Sequence, residues 1–266
     1  MTCSLIITTY NWPEALELVI RSALAQSEPP MEIVVADDGS TTETADLIAR
    51  CRASAAVPLV HAWQEDIGFR AAASRNRAIA MSRGDYIVIV DGDMLLHHDF
   101  IRDHRRLARR ESFIQGSRVL LSQANTAKRL ASGQSRISLI EEGVGNRKNA
   151  LRVAWLSELL AVEGGSLKGI RSCNMSFFRE ECIRVNGFNE DFVGWGREDS
   201  EFAVRMINSG ILRRNVRFSA IAAHLWHREN TRQALPENDR LLEDAIARKS
   251  CWCENGINKY LNGGQP

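Results

Sequence analysis

The stretch YIVIVDGDMLLHHDF, residues 86–100, decides the fold. It opens with a run of apolar, β-branched residues from Ile87 to Val90. Such a run is typical of a strand that is buried on both faces of a parallel sheet. Asp91 and Asp93 follow at once, separated only by Gly92. The sequence therefore predicts two carboxylates at the end of a buried strand, at the mouth of a sheet.

Strand-like and helix-like segments alternate upstream of this stretch. CSLIITTY, EIVVADDGS, VPLVHAW and DYIVIV have the composition of strands. Between them lie PEALELVIRSALAQ, TETADLIAR and FRAAASRNRAIAMSR, which have apolar residues at helical spacing. This alternation predicts an α/β fold with a Rossmann-like, mostly parallel central sheet and helices on both faces.

The pattern is less regular beyond residue 100. We predict a helix for FIRDHRRLARR and one strand for FIQGSRVLL, and we find one apolar helical segment, LRVAWLSELLAV, in the polar region 122–165. A strand pattern returns at GIRSCNMSFF. We therefore expect a single domain over residues 1–235, with a variable insertion at 122–165, and a C-terminal helical tail at 236–266.

Composition excludes several classes of protein. The 34 basic and 33 acidic residues give a formal charge of +1, which provides no electrostatic case for nucleic-acid binding. The start, MTCSLIITTYNWPEA, has the pattern of a first strand rather than of a signal peptide, and no transmembrane segment is predicted. We expect a cytoplasmic protein with reduced, scattered cysteines, and we leave peripheral association with the inner membrane face open.

Polar residues follow three of the predicted strands, at 8–11, 37–38 and 91–93. Parallel α/β sheets bind ligands beyond the carboxyl ends of their strands. Adjacent acidic strand ends repel each other unless hydrogen-bond donors or a cation lie between them. Mn²⁺ or Mg²⁺ prefers carboxylate oxygens and leaves positions open for substrate phosphates. The spacing Asp-x-Asp at 91–93 therefore predicts a divalent metal site, whereas residues 37–40 could alternatively form a turn with a helix cap.

The late segment GWGREDSEFAVRMIN predicts a helix with Glu198 and Asp199 in its first turn. These carboxylates could simply stabilise the helix N-terminus through the helix dipole. Trp195 lies between two glycines, and its flat apolar ring could stack on a sugar or serve as a loop anchor. In HLWHRE, neutral imidazoles of His224 or His227 would suit Mn²⁺.

Four segments together resemble an inverting glycosyltransferase of family 2 with the GT-A fold. They are SLIITTYNWPEALELVIRSALAQ, EIVVADDGSTTETADLI, GFRAAASRNRAIAMSRGDYIVIVDGDMLLHHDFI and GFNEDFVGWGREDSEFAVRM. The last segment is also similar to the acceptor-side motif of β-1,4-galactosyltransferases and of bacterial enzymes of the chondroitin-polymerase type. The resemblance implies a nucleotide-sugar half at 1–100 and an acceptor half at 165–235.

The resemblance also implies a role for each matching residue. A nucleotide-sugar donor, a UDP-hexose or UDP-N-acetylhexosamine, would be bound by Thr8, Tyr10, Asp37, Asp38, Gly68, Arg70, Arg75, Asn76, Asp91 and Trp195. Asp93 would ligate Mn²⁺ or Mg²⁺ together with His227, and His224 is the second choice. Glu198 and Asp199 would bind the acceptor, a glycan or glycolipid hydroxyl, and Asp199 would act as the base.

Two other classes of protein remain open at this point. An apolar strand followed by Asp-x-Asp is also typical of phosphohydrolases with an aspartate nucleophile, here Asp91. Against that class, Met94 follows the pair where a small hydroxyl residue is expected, and GWGRED has no role. A module that binds sugar nucleotides without turnover is the second alternative.

Overall fold

The computed structural model describes residues 1–136, 143–228 and 231–261. Its strands, in chain order, are β1 (Cys3–Thr9), β2 (Glu32–Asp37), β3 (Leu59–Trp63), β4 (Tyr86–Asp91), β5 (Met94–Leu96), β6 (Ser112–Gln115), β7 (Arg118–Leu121), β8 (Val144–Gly145), β9 (Val162–Gly164), β10 (Asn174–Phe178), β11 (Leu212–Asn215) and β12 (Ala222–His224). Its α-helices are α1 (Pro13–Leu24), α2 (Thr42–Ser54), α3 (Ala71–Met81), α4 (Phe100–Leu107), α5 (Gln123–Ser132), α6 (Ala154–Leu160), α7 (Arg179–Arg184), α8 (Glu198–Asn208), α9 (Leu235–Ala247) and α10 (Asn258–Leu261). None of the helices described has the length and apolar composition needed to cross a membrane.

The central sheet confirms the predicted α/β class. Its strands lie in the order β3-β2-β1-β4-β10-β6-β11-β9. The first four are mutually parallel, as their alternation with helices predicts. Strand β10 is antiparallel to both β4 and β6, and β9 is antiparallel to β11, so the sheet is mostly parallel with one antiparallel strand in its middle and one at its edge.

Both faces of this sheet are covered, because alternate side chains of the buried strands point to opposite faces. Leu5 and Ile7 of β1 belong to a core on the side of α1 and α2, whereas Ile6 belongs to a core on the side of α3 and α8. The strands therefore need apolar residues at every position, which explains the continuous run at Ile87–Val90.

The prediction of one strand for FIQGSRVLL is wrong. The segment forms two strands in different sheets: β6 joins the central sheet, and β7 joins a second sheet with the order β5-β12-β7-β8. The chain crosses between the sheets at Gly116 and Ser117. A Cβ atom at Gly116 would lie 2.4 Å from the side chain of Asn174, so glycine permits the close approach there.

The predicted insertion and tail both contain regular structure. The insertion includes α5, β8, a 3₁₀ turn at Arg147–Ala150, α6 and β9, while residues 137–142 lie outside the described residues. The tail begins within α9 and packs against the domain, because Ile257 is fully buried and its N–H donates to the Asn186 carbonyl. Residues 262–266 lie outside the described residues. All six cysteines are free thiols.

Candidate active site

The polar strand ends meet at one edge of the central sheet. In the strand register, Thr9 is opposite Asp37 and Thr8 is opposite Asp91. Gly92 N–H donates to the Thr8 carbonyl at 2.7 Å, which holds the chain after β4 beside β1. The hydroxyl of Thr8 is buried and has no hydrogen-bond partner among the described residues. It is therefore a polar group at the site that a bound ligand could satisfy.

Asp37 and Asp38 both hold protein groups in place. The Asp37 carboxylate accepts from the Ser40 N–H at 2.8 Å and lies 2.8 Å from the His61 Nε2 atom. The first bond is the turn contact that the sequence left open as an alternative role. Asp38 accepts from Gln64 Nε2 at 2.6 Å and from Arg70 N–H at 2.7 Å, and burial raises its pKa.

Residues 64–70, which Asp38 holds through Gln64 and Arg70, form one wall of the site beside the strand ends. Tyr10 is half exposed, and its hydroxyl donates to Asp66 Oδ2 at 3.0 Å. Gly68 N–H donates to Asp66 Oδ1 at 3.2 Å, with a φ of +88° that favours glycine. The structure thus brings Tyr10 and Gly68 together through Asp66, a residue that sequence reasoning missed.

Arg75 joins the two acidic parts of the site. It is buried in α3, donates to Glu198 at 2.9 Å and lies 3.5 Å from Asp91. Asn76, its neighbour, lies elsewhere: it is fully buried, donates to the Phe188 carbonyl and to Glu190, and accepts from the Phe188 N–H. Asn76 therefore has a structural role between α3 and the segment before α8, and a contact with a nucleotide would require these bonds to break.

Asp93 and both predicted histidines form a compact triad. Asp93 Oδ2 is 3.2 Å from His227 Nε2 and 3.3 Å from His224 Nε2. The three ligand atoms all lie within 4.8 Å of one another, and no other such group is found in the part of the chain that the structure describes. Sequence reasoning chose between the histidines, but the structure brings both to Asp93, because His224 ends β12 and His227 follows three residues later.

Two further features make the triad fit a divalent cation. Asp93 Oδ1 is buried and has no hydrogen-bond partner among the described residues, which is costly unless a ligand satisfies it. His227 Nδ1 lies 2.6 Å from the Arg228 carbonyl, so a proton on Nδ1 leaves the Nε2 lone pair directed at the triad. Without a cation, a hydrogen bond to Asp93 raises the pKa of His227 to about 9, so a cation would have to displace the Nε2 proton, whereas burial lowers the pKa of His224. One carboxylate and two imidazoles are a donor set that suits Mn²⁺.

The predicted acceptor carboxylates lie at the N-terminus of α8. Glu198 is buried and paired with Arg75, whereas Asp199 is partly exposed. Asp199 accepts from the Ser172 N–H at 3.3 Å and from the Ser200 hydroxyl at 3.1 Å. Burial, and then the neighbouring Glu198 carboxylate, raises the pKa of Asp199 to about 7. A carboxylate with this pKa is suited to accept a proton near neutral pH.

Trp195 is exposed on a loop whose backbone is held at several points. Gly194 N–H donates to the Phe69 carbonyl, and Asn238 of α9 donates to the Gly196 carbonyl. Both glycines have positive φ, at +78° and +104°. The glycines are therefore explained by the loop conformation, and they leave the indole ring 40% exposed.

Two family models match this chain. The family model described as glycosyl transferase family 2 matches residues 4–173. The model described as the N-terminal domain of galactosyltransferase matches residues 165–228. The two matches overlap at residues 165–173.

Curated relatives cover most of this chain but are longer. A hyaluronan synthase of Pasteurella multocida is 25% identical over 223 residues, covering 78% of this chain and 23% of the relative. A chondroitin synthase of Escherichia coli is 25% identical over 241 residues, covering 83% of this chain and 34% of the relative. The chain thus spans only about a quarter to a third of the length of these relatives.

Solved structures agree in fold. S. aureus TarS 1–349 in complex with UDP has a TM-score of 0.62 at 16% identity, covering 99% of this chain and 70% of that chain. A mannosyltransferase from Pyrobaculum calidifontis, in complex with GDP-Man and Mn²⁺, has a TM-score of 0.58 at 19% identity, covering 94% and 68%. These neighbours confirm the GT-A fold that the sequence resemblance implied.

Proposed function

The chain belongs to glycosyl transferase family 2, and we propose that it transfers a sugar from a UDP-linked donor to a hydroxyl of a glycan or glycolipid acceptor, with inversion. The transferred sugar would be a hexose or an N-acetylhexosamine. A divalent cation, Mn²⁺ or Mg²⁺, would be required. Family membership favours this activity over a phosphohydrolase with Asp91 as its nucleophile.

One observation carries the proposal: a cation site, an anchored arginine and a candidate base lie at one edge of the sheet. Asp93 is two residues from Asp91, and Asp91 is linked to Glu198 by Arg75. Asp199 follows Glu198 directly. Residues more than 100 positions apart in sequence thus converge where parallel α/β sheets bind ligands.

The donor would bind across the strand ends. Thr8, Tyr10 and the segment held by Asp38 would surround the nucleoside, and the diphosphate would lie toward Asp93. A cation on Asp93, His224 and His227 would neutralise the negative charge that develops on the departing diphosphate. Arg75, buried and neutralised by two carboxylates, would keep Asp91 and Glu198 in fixed positions around the sugar.

Asp199 would take the proton from the acceptor hydroxyl as its oxygen attacks the anomeric carbon. Inversion follows from a single displacement, which needs one base and no covalent intermediate. Glu198 is the weaker candidate for the base, because its ion pair with Arg75 stabilises the charged carboxylate. It would instead orient the acceptor, with Trp195 offering a ring on which a sugar can stack.

A panel of nucleotide sugars tests the proposed function. The protein is incubated with UDP-, GDP- and TDP-sugars, Mn²⁺ and mixed glycan acceptors, and released nucleotide is measured. We expect release from a UDP-sugar that depends on acceptor and metal. A phosphohydrolase would instead prefer phosphomonoesters, and a binding module would bind UDP but release nothing.

We expect Asp38→Asn to weaken UDP affinity by ~1–2 kcal/mol, roughly 5- to 30-fold. The amide keeps the size of the side chain, but its single oxygen can accept from only one of the two donors, Gln64 Nε2 and Arg70 N–H, which now bond to different carboxylate oxygens. The wall that contains Asp66 and Gly68 should therefore loosen. Calorimetric titration with UDP measures the effect, and Asp46→Asn on the exposed face of α2 is the control. Unchanged UDP affinity would limit Asp38 to a structural role.

We also propose that α6 and its flanks rest on an anionic membrane surface. Trp155, Leu159 and Val162 are 70%, 75% and 69% exposed, which is unusual for clustered large apolar residues. Arg106 donates to the Ala154 carbonyl, so a cation lies at the edge of this apolar surface. Exposed aromatic and aliphatic side chains are typical of surfaces that bind the lipid interface, although Glu158 and Glu163 lie in the same segment.

The double variant Trp155→Ser/Leu159→Ser should bind anionic vesicles much more weakly than the wild type. Sedimentation with phosphatidylglycerol-containing vesicles measures binding, and neutral phosphatidylcholine vesicles test the role of charge. Because both side chains are exposed, the thermal stability should stay close to that of the wild type. Exposed Trp252→Ser is the matched control. Equal sedimentation of the double variant and wild type would contradict the proposal.

A further inference from the structure

A cationic cavity lies beside the candidate base and the metal triad. It has a volume of about 170 Å³ and is lined by Arg118, Arg171 and Arg213, together with amide side chains that include Gln115, Asn149 and Asn174. Since a water molecule occupies roughly 30 Å³ in the liquid, the cavity could hold about five waters, or one small anionic group.

Among the described residues, the three arginines of this cavity make no direct ion pair, although Arg118 interacts electrostatically with Asp91. In the described part of the chain, none of the three arginines has a carboxylate within 4.0 Å. Arg118 donates to the Cys173 sulfur, and Arg213 donates to the carbonyls of Ser166 and Lys168. Other arginines on this domain are ion-paired; Arg152, for example, pairs with two carboxylates, on Asp99 and Asp103.

Arg213 is the least exposed of the three arginines. It is only 9% exposed, and its Nε atom is buried with no hydrogen-bond partner among the described residues. Burial, and then repulsion by Arg171, lowers its pKa. Buried like charges without an acid are costly, and an anionic ligand would offset that cost.

The walls of the cavity connect it to the acceptor side of the site. Arg171 precedes Ser172, whose N–H donates to Asp199, and its own N–H donates to Gln115 in the cavity wall. On the other side, Arg118 begins β7, which pairs with the strand that ends at His224. An anionic group in the cavity would therefore belong to a molecule that reaches the candidate base.

We propose that this cavity is an anion subsite for the acceptor, and that it binds a carboxylate or phosphate carried near the reacting hydroxyl. The inference rests on the proposed glycosyl transfer and names the class of acceptor: an acidic glycan or a phosphate-bearing glycan. Arginine guanidinium groups suit both anions because they donate two parallel hydrogen bonds.

Paired probes test the proposal on the full chain with UDP and Mn²⁺ present. A uronate-containing disaccharide is compared with its carboxyl-reduced form, and a sugar phosphate is compared with the dephosphorylated sugar, by calorimetry. We expect the anionic member of at least one pair to bind ~10-fold or more tightly than its neutral counterpart. The pair that shows the preference identifies whether the group is a carboxylate or a phosphate.

Arg171→Gln should remove most of that preference, because Arg171 is exposed and its loss should leave the fold intact. The affinity for UDP should not change. Arg118→Gln/Arg171→Gln should remove the rest, and exposed Arg50→Gln on α2 is the control. Equal binding within both pairs would overturn the proposal, as would an Arg171→Gln variant that loses UDP affinity but keeps the anion preference. Loss of UDP binding by the wild type would instead contradict the proposed function.

Discussion

Replacing Asp199 with Asn should lower the rate of sugar transfer by ~10²–10⁴-fold, the usual cost of losing a general base. Asn keeps the size of the side chain, and its one carbonyl oxygen can still accept from the Ser172 N–H, while its NH₂ group can donate to the Ser200 hydroxyl. It cannot take a proton from the acceptor. UDP and Mn²⁺ should bind normally, because Asp199 contacts neither the strand ends nor the metal triad.

The pH dependence provides a second readout for the same residue. The raised pKa of Asp199, about 7, means that the carboxyl group is mostly protonated at pH 6 and mostly ionised at pH 8. A base must be ionised, so kcat/KM should rise ~10-fold across this interval, and the residual activity of Asp199→Asn should lose this rise. Stopped transfer assays across pH measure both effects.

Two variants of nearby carboxylates serve as controls. Asp191→Asn, on the exposed loop before α8, should retain wild-type rates. Glu198→Gln should mainly raise the KM for the acceptor, because Glu198 is held by Arg75 beside the base. A near-wild-type rate for Asp199→Asn would place the base elsewhere. A loss of donor affinity instead would contradict the division into donor and acceptor halves.

The sequence predicted the parallel half of the sheet because its pattern is local. Each strand from β1 to β3 is followed by its own helix, and this alternation predicts parallel strands. The position of β10 in the middle of the sheet depends on pairing with β4, about 90 residues earlier, and no local pattern specifies such a pairing. The split of FIQGSRVLL at Gly116 has the same cause, since the strand partners of β6 and β7 are distant in sequence.

Part of the candidate site was predictable because its polar residues directly follow an apolar strand in the sequence. Asp91 and Asp93 follow a buried strand, and the structure places them beside Arg75 and the histidines. Asp66 and Gln64 have no such position in the sequence. Their contacts form only when the segment after β3 folds back on Tyr10 and Asp38. Asn76 and its neighbour Arg75 have different partners, because adjacent residues on a helix point in different directions: Arg75 donates to Glu198, whereas Asn76 donates to the Phe188 carbonyl.

The metal prediction is tested most directly at Asp93. Asp93→Asn removes the carboxylate that lies within 3.3 Å of both histidine Nε2 atoms, and with it the single negative charge of the triad. Neutral oxygen and nitrogen ligands bind Mn²⁺ much more weakly than a set that includes a carboxylate. We expect a ~100-fold or greater loss of Mn²⁺ affinity, measured from the free-ion signal in electron paramagnetic resonance, and loss of transfer activity.

The histidines show whether the triad acts as a unit. Because His224 and His227 are nearly equidistant from Asp93, His224→Gln and His227→Gln should both weaken Mn²⁺ binding, each by less than Asp93→Asn does. Asp46→Asn, on the exposed face of α2, is the control for a lost surface carboxylate. EDTA should silence the wild type, and added Mn²⁺ or Mg²⁺ should restore it. Full transfer activity in EDTA would contradict the metal site. The charge on a departing diphosphate would then have to be stabilised by arginines alone.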